Sequence, residues 1–322
     1  MTGPLPRDTR LFVAGHRGLV GSAIVRHLRA QGFTNLLTRT RAELDLLDPH
    51  AVDAFFASER PQVVILAAAK VGGILANATY PADFLYQNLM IAANVIHAAH
   101  AHDVRKLLNL GSSCIYPKHA PQPMPESALL TGPLESTNRA YAIAKIAATE
   151  LCDAYRAQHG RSFISAMPTN LYGPGDNFDL ETSHVLPALL RKAVEARDAG
   201  APSITVWGSG TPRREFLYVD DLADACLFLL EHFDEPGPIN VGTGVDVSIR
   251  ELAEMVCDAV GYEGELAFDA GKPDGTPRKL MDVERLTRAG WGATTDLRTG
   301  LARTAAWYRE ARERGDVPSP AV

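Results

Sequence analysis

Residues 10–21 read RLFVAGHRGLVG and place a glycine-rich turn directly after a short apolar run. The first five residues predict a buried parallel strand, and the apolar residues after the turn predict a helix that ends at about Ala30. Three glycines at every third position, Gly15, Gly18 and Gly21, allow a sharp turn, the close approach of a pyrophosphate and tight helix–strand packing. The phosphates then meet the free N–H groups of the helix N-terminus. The stretch therefore predicts a dinucleotide-binding unit.

The end of the second predicted strand indicates which dinucleotide binds. NAD usually needs an acidic residue there for its ribose hydroxyls, whereas the 2′-phosphate of NADP favours arginine. Residues 37–41 read LTRTR, and the first acid is Glu43. Arg17 lies in the glycine turn and Arg41 at this strand end, and arginine forks suit phosphate. We therefore predict NADPH as the cofactor, held by these two arginines; two merely solvated arginines are the alternative.

Strands and helices continue to alternate after this first unit. Short apolar runs predict further buried strands over 62–66, 106–110 and 162–167. The helices predicted between them run from the Asp48 cap to about Ser58, onward from Pro81, and over 138–158. The alternation predicts an α/β fold, namely a Rossmann-type doubly wound parallel sheet with a smaller mixed α/β substrate lobe.

The alternation weakens after about residue 175, and this sets the predicted domains. Residues 1–175, with a return segment at about 215–243, are assigned to an NADP-binding Rossmann domain. Residues 176–214 and 244–322 are assigned to the substrate lobe. The two predicted parts are therefore interleaved along the chain.

Two connecting segments also carry a prediction. Residues 117–133 are rich in proline and predict a surface connection that folds over the active site. Residues 206–216 predict a strand, a turn and a second strand. A helix is predicted to start near His184 in the second lobe.

Tyr141 and Lys145 lie four residues apart on one face of the helix predicted over 138–158, with Asn138 as its cap. A free tyrosine has a pKa of about 10, and a neighbouring ammonium is expected to lower it. Ser112 follows the strand predicted over 106–110, at the edge where open α/β sheets place their ligands. The serine can then hydrogen-bond a substrate carbonyl while the tyrosine gives or takes the proton. This arrangement predicts hydride transfer to or from a carbonyl carbon.

These motifs together resemble the short-chain dehydrogenase/reductase superfamily, in its extended branch that modifies sugar nucleotides. Dehydratases of that branch carry an acidic pair after the serine strand, whereas this chain has Ser112-Ser113-Cys114. Within the branch, nearly the whole chain resembles the GDP-L-fucose synthase family. The stretches that carry this resemblance are GHRGLVGSAI, AAAKVGG, TYPADF, LGSSCIYPK, YAIAK, MPTNLYGP, SHVLPALLR, WGSGTPRREF, VDDLA and KPDGTPRKL.

The resemblance implies an activity with two stages. GDP-4-keto-6-deoxy-D-mannose is epimerised at carbons 3 and 5 and then reduced at carbon 4 by NADPH, which gives GDP-L-fucose. Ser112, Tyr141 and Lys145 are implied as the reductase set, and Cys114 and His184 as the proton-exchanging epimerase pair. A thiol and an imidazole can both exchange protons near neutral pH. The resemblance also implies a homodimer.

The resemblance further implies two sets of binding residues. The cofactor is expected on Gly15, His16, Arg17, Gly18, Leu19, Val20, Gly21, Arg41, Leu46, Leu110, Gly111, Ser112, Ser113, Tyr141, Lys145, Pro168, Thr169, Asn170, Leu171 and His184. The substrate is expected on Lys192, Trp207, Arg214 and Asp274. The chain departs from the family pattern where Arg139-Ala140 replaces an acid and a proline, and where a lysine stands at 192 although arginine also occurs there.

Composition excludes several other classes of function. The formal net charge is −6 and no long basic run occurs, so no nucleic-acid partner is predicted. No apolar stretch reaches membrane-spanning length, so no membrane partner is expected, and the first ten residues predict no signal peptide. Four cysteines without CxxC spacing favour reduced thiols. We therefore expect a cytoplasmic protein without a metal site.

Two other interpretations remain open at this point. Another NAD(P)-dependent sugar-nucleotide epimerase or reductase, such as a 4-epimerase, would use the same scaffold, because a fold alone does not decide function. A non-catalytic dinucleotide-binding regulator is the second. Such regulators usually lose the tyrosine or the lysine of the catalytic set, and both are present here.

Overall fold

The computed structural model describes residues 3–272 and 274–317. Its main sheet has six strands, all parallel, in the order β2-β1-β3-β4-β5-β9. These strands are β1 (Leu11–Ala14), β2 (Leu36–Leu37), β3 (Val63–Leu66), β4 (Lys106–Leu110), β5 (Ser162–Pro168) and β9 (Pro238–Val241). The strand order reverses between β1 and β3, and open α/β sheets bind ligands in the crevice at such a point.

Helices cover both faces of this sheet, as the doubly wound prediction requires. They are α1 (Leu19–Ala30), α2 (Pro49–Glu59), α3 (Ile74–Thr79), α4 (Pro81–Ala101), α5 (Arg139–His159), α6 (Val185–Ala199), α7 (Val219–His232), α8 (Ile249–Val260), α9 (Glu284–Arg288) and α10 (Leu297–Arg314). One face packs α1 and α7 against the sheet, and the other packs α2, α4 and α5. The central strands are buried on both faces, which explains their continuous apolar runs.

A second lobe has its own core, formed mainly by α6, α8 and α10 with short strands. Its strands are β7 (Ser203–Trp207), β8 (Arg213–Tyr218), β10 (Asp246–Ser248), β11 (Glu265–Asp269) and β12 (Arg278–Lys279). A short strand that follows β5, β6 (Asn170–Tyr172), pairs with β8. This pairing joins the second lobe directly to the carboxyl edge of the main sheet.

Most of the predicted elements are confirmed, and the caps differ in how they act. Asp48 caps α2, because its carboxylate accepts hydrogen bonds from the N–H groups of His50 at 2.9 Å and Ala51 at 3.3 Å. Asn138 stands at the N-cap position of α5 but makes no capping hydrogen bond through its side chain.

The predicted strand–turn–strand is present as β7 and β8. These two strands do not pair with each other: β7 pairs with β11, and β8 pairs with β6, β10 and β12.

The segment predicted as a surface connection is partly buried instead. Met124 and Ala128 lie in a small apolar cluster with Ile115 and Tyr116. The N–H of Met124 donates to the carbonyl of Leu280 at 2.8 Å, so the segment is fastened to the chain that follows β12. Its apolar side chains are buried in this cluster, and its backbone groups form hydrogen bonds. Among the described residues, no helix combines the length and the apolar character needed to cross a membrane.

Candidate active site

The glycine turn has the shape of an anion cradle. Gly15 has a φ of +86°, and a Cβ there would lie 2.7 Å from the backbone of Ala68. A Cβ on Gly21 would collide with the carbonyl oxygen of Gly15. Gly18 is the N-cap of α1 without a side-chain cap, so the N–H groups of the first helical turn stay available. These observations fit the pyrophosphate of a dinucleotide.

The three arginines near the turn are in different situations. Arg39 forms an ion pair with Glu59 at 2.5 Å and lies over the ring of Phe55. Arg17 and Arg41 are both exposed, and in the described part of the chain neither forms an ion pair. Two unpaired guanidinium groups thus flank the crevice where the dinucleotide's ribose would lie.

Ser112 stands directly after β4 and shapes the turn that contains Cys114. Its Oγ accepts a hydrogen bond from the N–H of Cys114 at 3.3 Å, which leaves the hydroxyl hydrogen free to donate to another group. Ser113 is buried within this turn. A Cβ on Gly111 would collide with the sulfur of Met167, so the chain passes closely against β5 at this point.

Lys145 and Tyr141 lie beside the same strand end. The Nζ of Lys145 donates to the carbonyl of Leu110 at 2.8 Å and lies 5.7 Å from the centre of the Tyr141 ring. The edge of this ring packs against Phe84. The predicted pair is therefore brought together at the carboxyl end of β4, next to Ser112.

The prediction that the ammonium lowers the tyrosine pKa is wrong for this structure. Burial is the largest effect and raises the pKa of Tyr141, and the charge of a Cys114 thiolate would raise it further. Burial also lowers the pKa of Lys145 to about 8, which weakens its ability to offset that effect. The phenol consequently stays protonated at neutral pH, which is the form that donates a proton.

Burial also raises the pKa of the Cys114 thiol, and the ammonium of Lys279 is the largest opposing influence. Lys279 lies on β12, directly opposite Arg214 on β8. Lys279 belongs to the KPDGTPRKL stretch, and the sequence alone indicated no role for it. Only the pairing of these two short strands brings it to the cysteine.

His184 occupies the N-cap position of α6 without capping it through its side chain. The residue remains open to solvent, and the surrounding protein removes enough hydration from the imidazole to lower its pKa. Its segment is held by the N–H of Gly73, which donates to the carbonyl of Thr182 at 3.1 Å. The AAAKVGG loop thus positions the histidine segment, a role that the sequence did not indicate.

The candidate substrate residues lie together in the second lobe. The exposed ring of Trp207 has the Nζ of Lys192 at 5.4 Å and the Nζ of Lys272 at 5.0 Å from its centre. Asp274 accepts hydrogen bonds from the N–H and the hydroxyl of Ser209 at 2.7 and 2.8 Å, so its carboxylate braces the turn after β7. It is also close enough to Arg214 to favour the charged guanidinium. Lys272 was not predicted.

The other predicted cofactor residues lie around the carboxyl edge of the sheet. Leu19 and Val20 begin α1, and His16 lies in the glycine turn, where burial and the charge of Arg17 lower its pKa. Pro168 is the last residue of β5, Thr169 follows it, and Asn170 and Leu171 begin β6. Leu46 lies on the connection to α2, and its carbonyl accepts a hydrogen bond from the side chain of Asn94 at 2.9 Å.

Comparison with known proteins agrees with this geometry. Residues 11–242 match the model of the NAD dependent epimerase/dehydratase family. GDP-L-fucose synthase 1 of Arabidopsis thaliana is 62% identical over 94% of each chain. GDP-L-fucose synthase of Escherichia coli (strain K12) is 59% identical over 95% of this chain and 98% of its own.

The chain belongs to the GDP-L-fucose synthase family. A solved structure of the same family has the same fold. The crystal structure of a GDP-L-fucose synthetase from Naegleria fowleri bound to NADP superposes with a TM-score of 0.90 at 30% identity. The match covers 99% of this chain and 96% of that one. The predicted α/β fold with a Rossmann-type sheet is therefore confirmed.

Proposed function

We propose that this protein converts GDP-4-keto-6-deoxy-D-mannose to GDP-L-fucose by epimerisation at carbons 3 and 5 and reduction at carbon 4 with NADPH. The observation that carries the proposal is the grouping of Ser112, Cys114, Tyr141 and Lys145 at the carboxyl end of β4, in a member of this family. These groups supply a hydrogen-bond donor, a thiol and a protonated phenol within one site.

Epimerisation begins with the ketone at carbon 4, which acidifies the hydrogens on carbons 3 and 5. Ser112 and Tyr141 donate hydrogen bonds to the carbon 4 oxygen and stabilise the enolate. Cys114 and His184 exchange the protons, one removing a proton from a carbon and the other returning one to the opposite face. Lys279 favours the thiolate of Cys114 and thereby supports its action as a base.

Reduction uses the same hydrogen-bond donors. NADPH supplies the hydride that carbon 4 receives. Tyr141 gives its proton to the carbon 4 oxygen, and its raised pKa keeps that proton in place until the oxygen gains charge. Lys145 fixes the N-terminal part of α5 against β4 through Leu110 and places the tyrosine for this step.

The cofactor assignment rests on the anion cradle and on the two unpaired arginines. The glycine turn holds the pyrophosphate, and Arg17 and Arg41 bind the 2′-phosphate. Asn170 and the neighbouring residues after β5 line the nicotinamide side, as the family pattern implies. An NADP-bound relative of the same fold supports this arrangement.

The substrate assignment rests on the cations and the exposed aromatic ring of the second lobe. Lys192 and Arg214 bind the diphosphate, Trp207 offers its ring to the guanine base, and Asp274 orders the adjoining loop. The residue boundaries remain part of this proposal: 1–175 with about 215–243 for the cofactor, and 176–214 with 244–322 for the substrate. Their separate apolar cores support this division, although Leu286 and Trp291 pack into the core of the main sheet.

The proposal also includes a homodimer in the cytoplasm. On α4, Tyr86 is 60% and Leu89 37% exposed, and Ile143 on the adjacent α5 is 38% exposed. These apolar residues on two neighbouring helices suit a second copy of the chain. All four cysteines are free thiols, which suits a reducing compartment.

One experiment tests the central proposal. The protein is incubated with NADPH and GDP-4-keto-6-deoxy-D-mannose, and the product is identified by NMR. GDP-L-fucose, formed with one NADPH consumed per product, is the expected result. Recovery of a tightly bound, non-exchanging NAD and a 4-epimerised sugar nucleotide would instead indicate the alternative epimerase, and no turnover would favour a binding protein.

A further inference from the structure

Glu215 is a buried carboxylate that the proposed chemistry does not use. It lies on β8, immediately after Arg214, and has no solvent exposure. An isolated buried charge is costly unless hydrogen bonds or a counter-ion compensate it. No lysine or arginine of the described chain forms an ion pair with Glu215, so hydrogen bonds must provide the compensation.

The carboxylate receives these hydrogen bonds from two other segments. One oxygen accepts from the N–H groups of Thr243 at 2.6 Å and Gly244 at 2.8 Å, in the loop between β9 and β10. The other accepts from the N–H of Met281 at 2.9 Å, two residues after Lys279. Burial raises the pKa of Glu215 while these N–H groups oppose the rise. The side chain therefore fastens three stretches of chain at one point.

The backbone of Glu215 extends the connection to the main sheet. Its carbonyl oxygen accepts hydrogen bonds from the side-chain amide of Asn170 at 2.8 Å and the hydroxyl of Thr169 at 3.3 Å. A Cβ on Gly242 would collide with its carboxylate, which shows how closely the loop packs. One residue thus connects the end of β5, the β9–β10 loop, β8 and β12.

The hydrogen bonds around Glu215 hold two cations side by side. Lys279 is the register partner of Arg214 across β8 and β12, and burial together with the smaller effect of the arginine's charge lowers the pKa of the lysine. Like charges repel, so electrostatics alone would separate the two short strands. A pair of adjacent cations held together by the fold is suited to a dianionic ligand group.

We propose that Glu215 is a positioning residue that keeps Arg214 and Lys279 together as one binding site for the diphosphate of the nucleotide sugar. The inference rests on the proposed function, because that function supplies a GDP-linked substrate. Glu215 touches neither substrate nor cofactor and acts through the two cations.

Glu215→Gln tests this inference, because it keeps the shape but replaces one acceptor oxygen with an amide that cannot accept a backbone N–H. Glu251→Gln is the matched control: Glu251 also accepts a backbone hydrogen bond in the second lobe, from Ser248 at 2.7 Å in the capping box of α8. Calorimetry with GDP should show a Kd raised about tenfold or more by Glu215→Gln, and changed less than about twofold by the control. The Kd for NADPH should remain within about twofold of wild type in both.

A double-mutant cycle separates positioning from general loss of structure. In an Arg214→Met background, Glu215→Gln should raise the GDP Kd less than about threefold, since one of the two cations that Glu215 holds together is already absent and the pair no longer exists. With the keto-sugar substrate, Glu215→Gln should raise KM by a larger factor than it lowers kcat, because Lys279 also supports the Cys114 base. The inference would be overturned if Glu215→Gln raised the GDP Kd as much in the Arg214→Met background as in the wild type. It would also be overturned if Glu215→Gln and Glu251→Gln changed the GDP Kd equally.

A second variant keeps the test open if Glu215→Gln does not fold. Glu215→Asp retains the charge but is too short to reach all three N–H groups, and the same weakening of GDP binding is expected. Normal GDP affinity in a folded Glu215→Asp would contradict the inference. Failure of the wild-type protein itself to bind GDP would contradict the proposed function, and with it the ligand assigned to the cation pair.

Discussion

The Nζ of Lys145 donates a hydrogen bond to the carbonyl oxygen of Leu110 at 2.8 Å, and this joins helix α5 to the last residue of strand β4. The lysine is almost fully buried, with 7% of its surface exposed. The contact brings Tyr141 to the turn that begins at Ser112. A residue expected to act on the phenol electrostatically therefore also has a structural function, which is to hold two elements of the site together.

The pKa of Lys145 predicts a pH dependence of stability. Burial lowers that pKa from the ordinary 10.5 to about 8, so the folded state binds fewer protons than the unfolded state between these values. The lysine's contribution to stability should therefore rise as the pH rises from 8 towards 10.5. Relative to Lys145→Met, the wild type should gain up to about 3 kcal/mol of unfolding free energy across this window.

Urea unfolding of both proteins at pH 7.5 and pH 10 measures this difference. Most other titrating groups are common to the two chains, and their effects cancel in the comparison. A difference in unfolding free energy that does not change with pH would show that the lysine is not desolvated as the structure indicates.

The second and third glycines of the turn, Gly18 and Gly21, should respond differently to alanine. A Cβ on Gly21 would collide with the carbonyl of Gly15, so Gly21→Ala should cost about 1–3 kcal/mol of stability. A Cβ on Gly18 would lie 3.6 Å from the nearest protein atom, also the carbonyl of Gly15, so the unliganded Gly18→Ala protein should lose less than about 1 kcal/mol. The new methyl group would nevertheless face the pyrophosphate, and NADPH affinity should fall.

Thermal unfolding and NADPH titration of the two variants separate these effects. Equal losses of stability would mean that the turn is not folded as tightly as described. Unchanged NADPH binding in Gly18→Ala would place the pyrophosphate elsewhere.

Cofactor preference should depend on Arg41. Arg41→Ala should raise the KM for NADPH about tenfold or more and leave the KM for NADH nearly unchanged, because only NADPH carries the 2′-phosphate. Arg39→Ala is the matched control, since Arg39 is already paired with Glu59. Steady-state kinetics with both cofactors gives the ratio. Equal rises of both KM values in Arg41→Ala would refute the assignment.

Tyr141 should be needed for proton donation and not for cofactor binding. Tyr141→Phe should slow reduction of the keto-sugar by about 10²–10⁴, the usual contribution of general acid catalysis. Its Kd for NADPH should be close to that of the wild type. Tyr155→Phe is a suitable control, because Tyr155 lies on the same helix and hydrogen-bonds His97 at 2.6 Å instead. Near wild-type reduction by Tyr141→Phe would leave the reaction without its assigned acid.

Cys114 should be required for epimerisation and dispensable for hydride transfer. Cys114→Ser replaces the thiol with a hydroxyl of much higher pKa, so exchange of deuterium into carbon 3 or carbon 5 should nearly stop. Reduction should continue and yield a GDP-6-deoxyhexose other than GDP-L-fucose. NMR in heavy water, first without and then with NADPH, follows both stages.

Cys257→Ser provides the control for that experiment, because Cys257 is a buried thiol in the core of the second lobe. It should exchange both carbons like the wild type. The same wild-type exchange in Cys114→Ser would show that this thiol only fills space. The epimerase stage would then need a different base.

The sequence determined the main sheet and the chemistry at its edge. Short, continuous apolar runs that alternate with helices are typical of strands in a parallel sheet that has both faces covered by helices. This pattern was enough to predict β1, β3, β4 and β5. The glycine turn was predictable because a sharp turn before a helix leaves few residue types possible. Tyr141 and Lys145 were predictable from helical spacing, and Ser112 from its position after a buried strand.

Tertiary structure decided what depends on contacts between distant segments. Glu215 and Lys279 lie 64 positions apart in the sequence, and no local pattern indicates that Met281 donates to the carboxylate while Lys279 faces Cys114. The raised pKa of Tyr141 has the same origin, because it depends on how much water the folded chain removes from the phenol. Sequence periodicity reports which face of an element is apolar. Pairing of short strands and desolvation of polar groups arise only when the lobes pack.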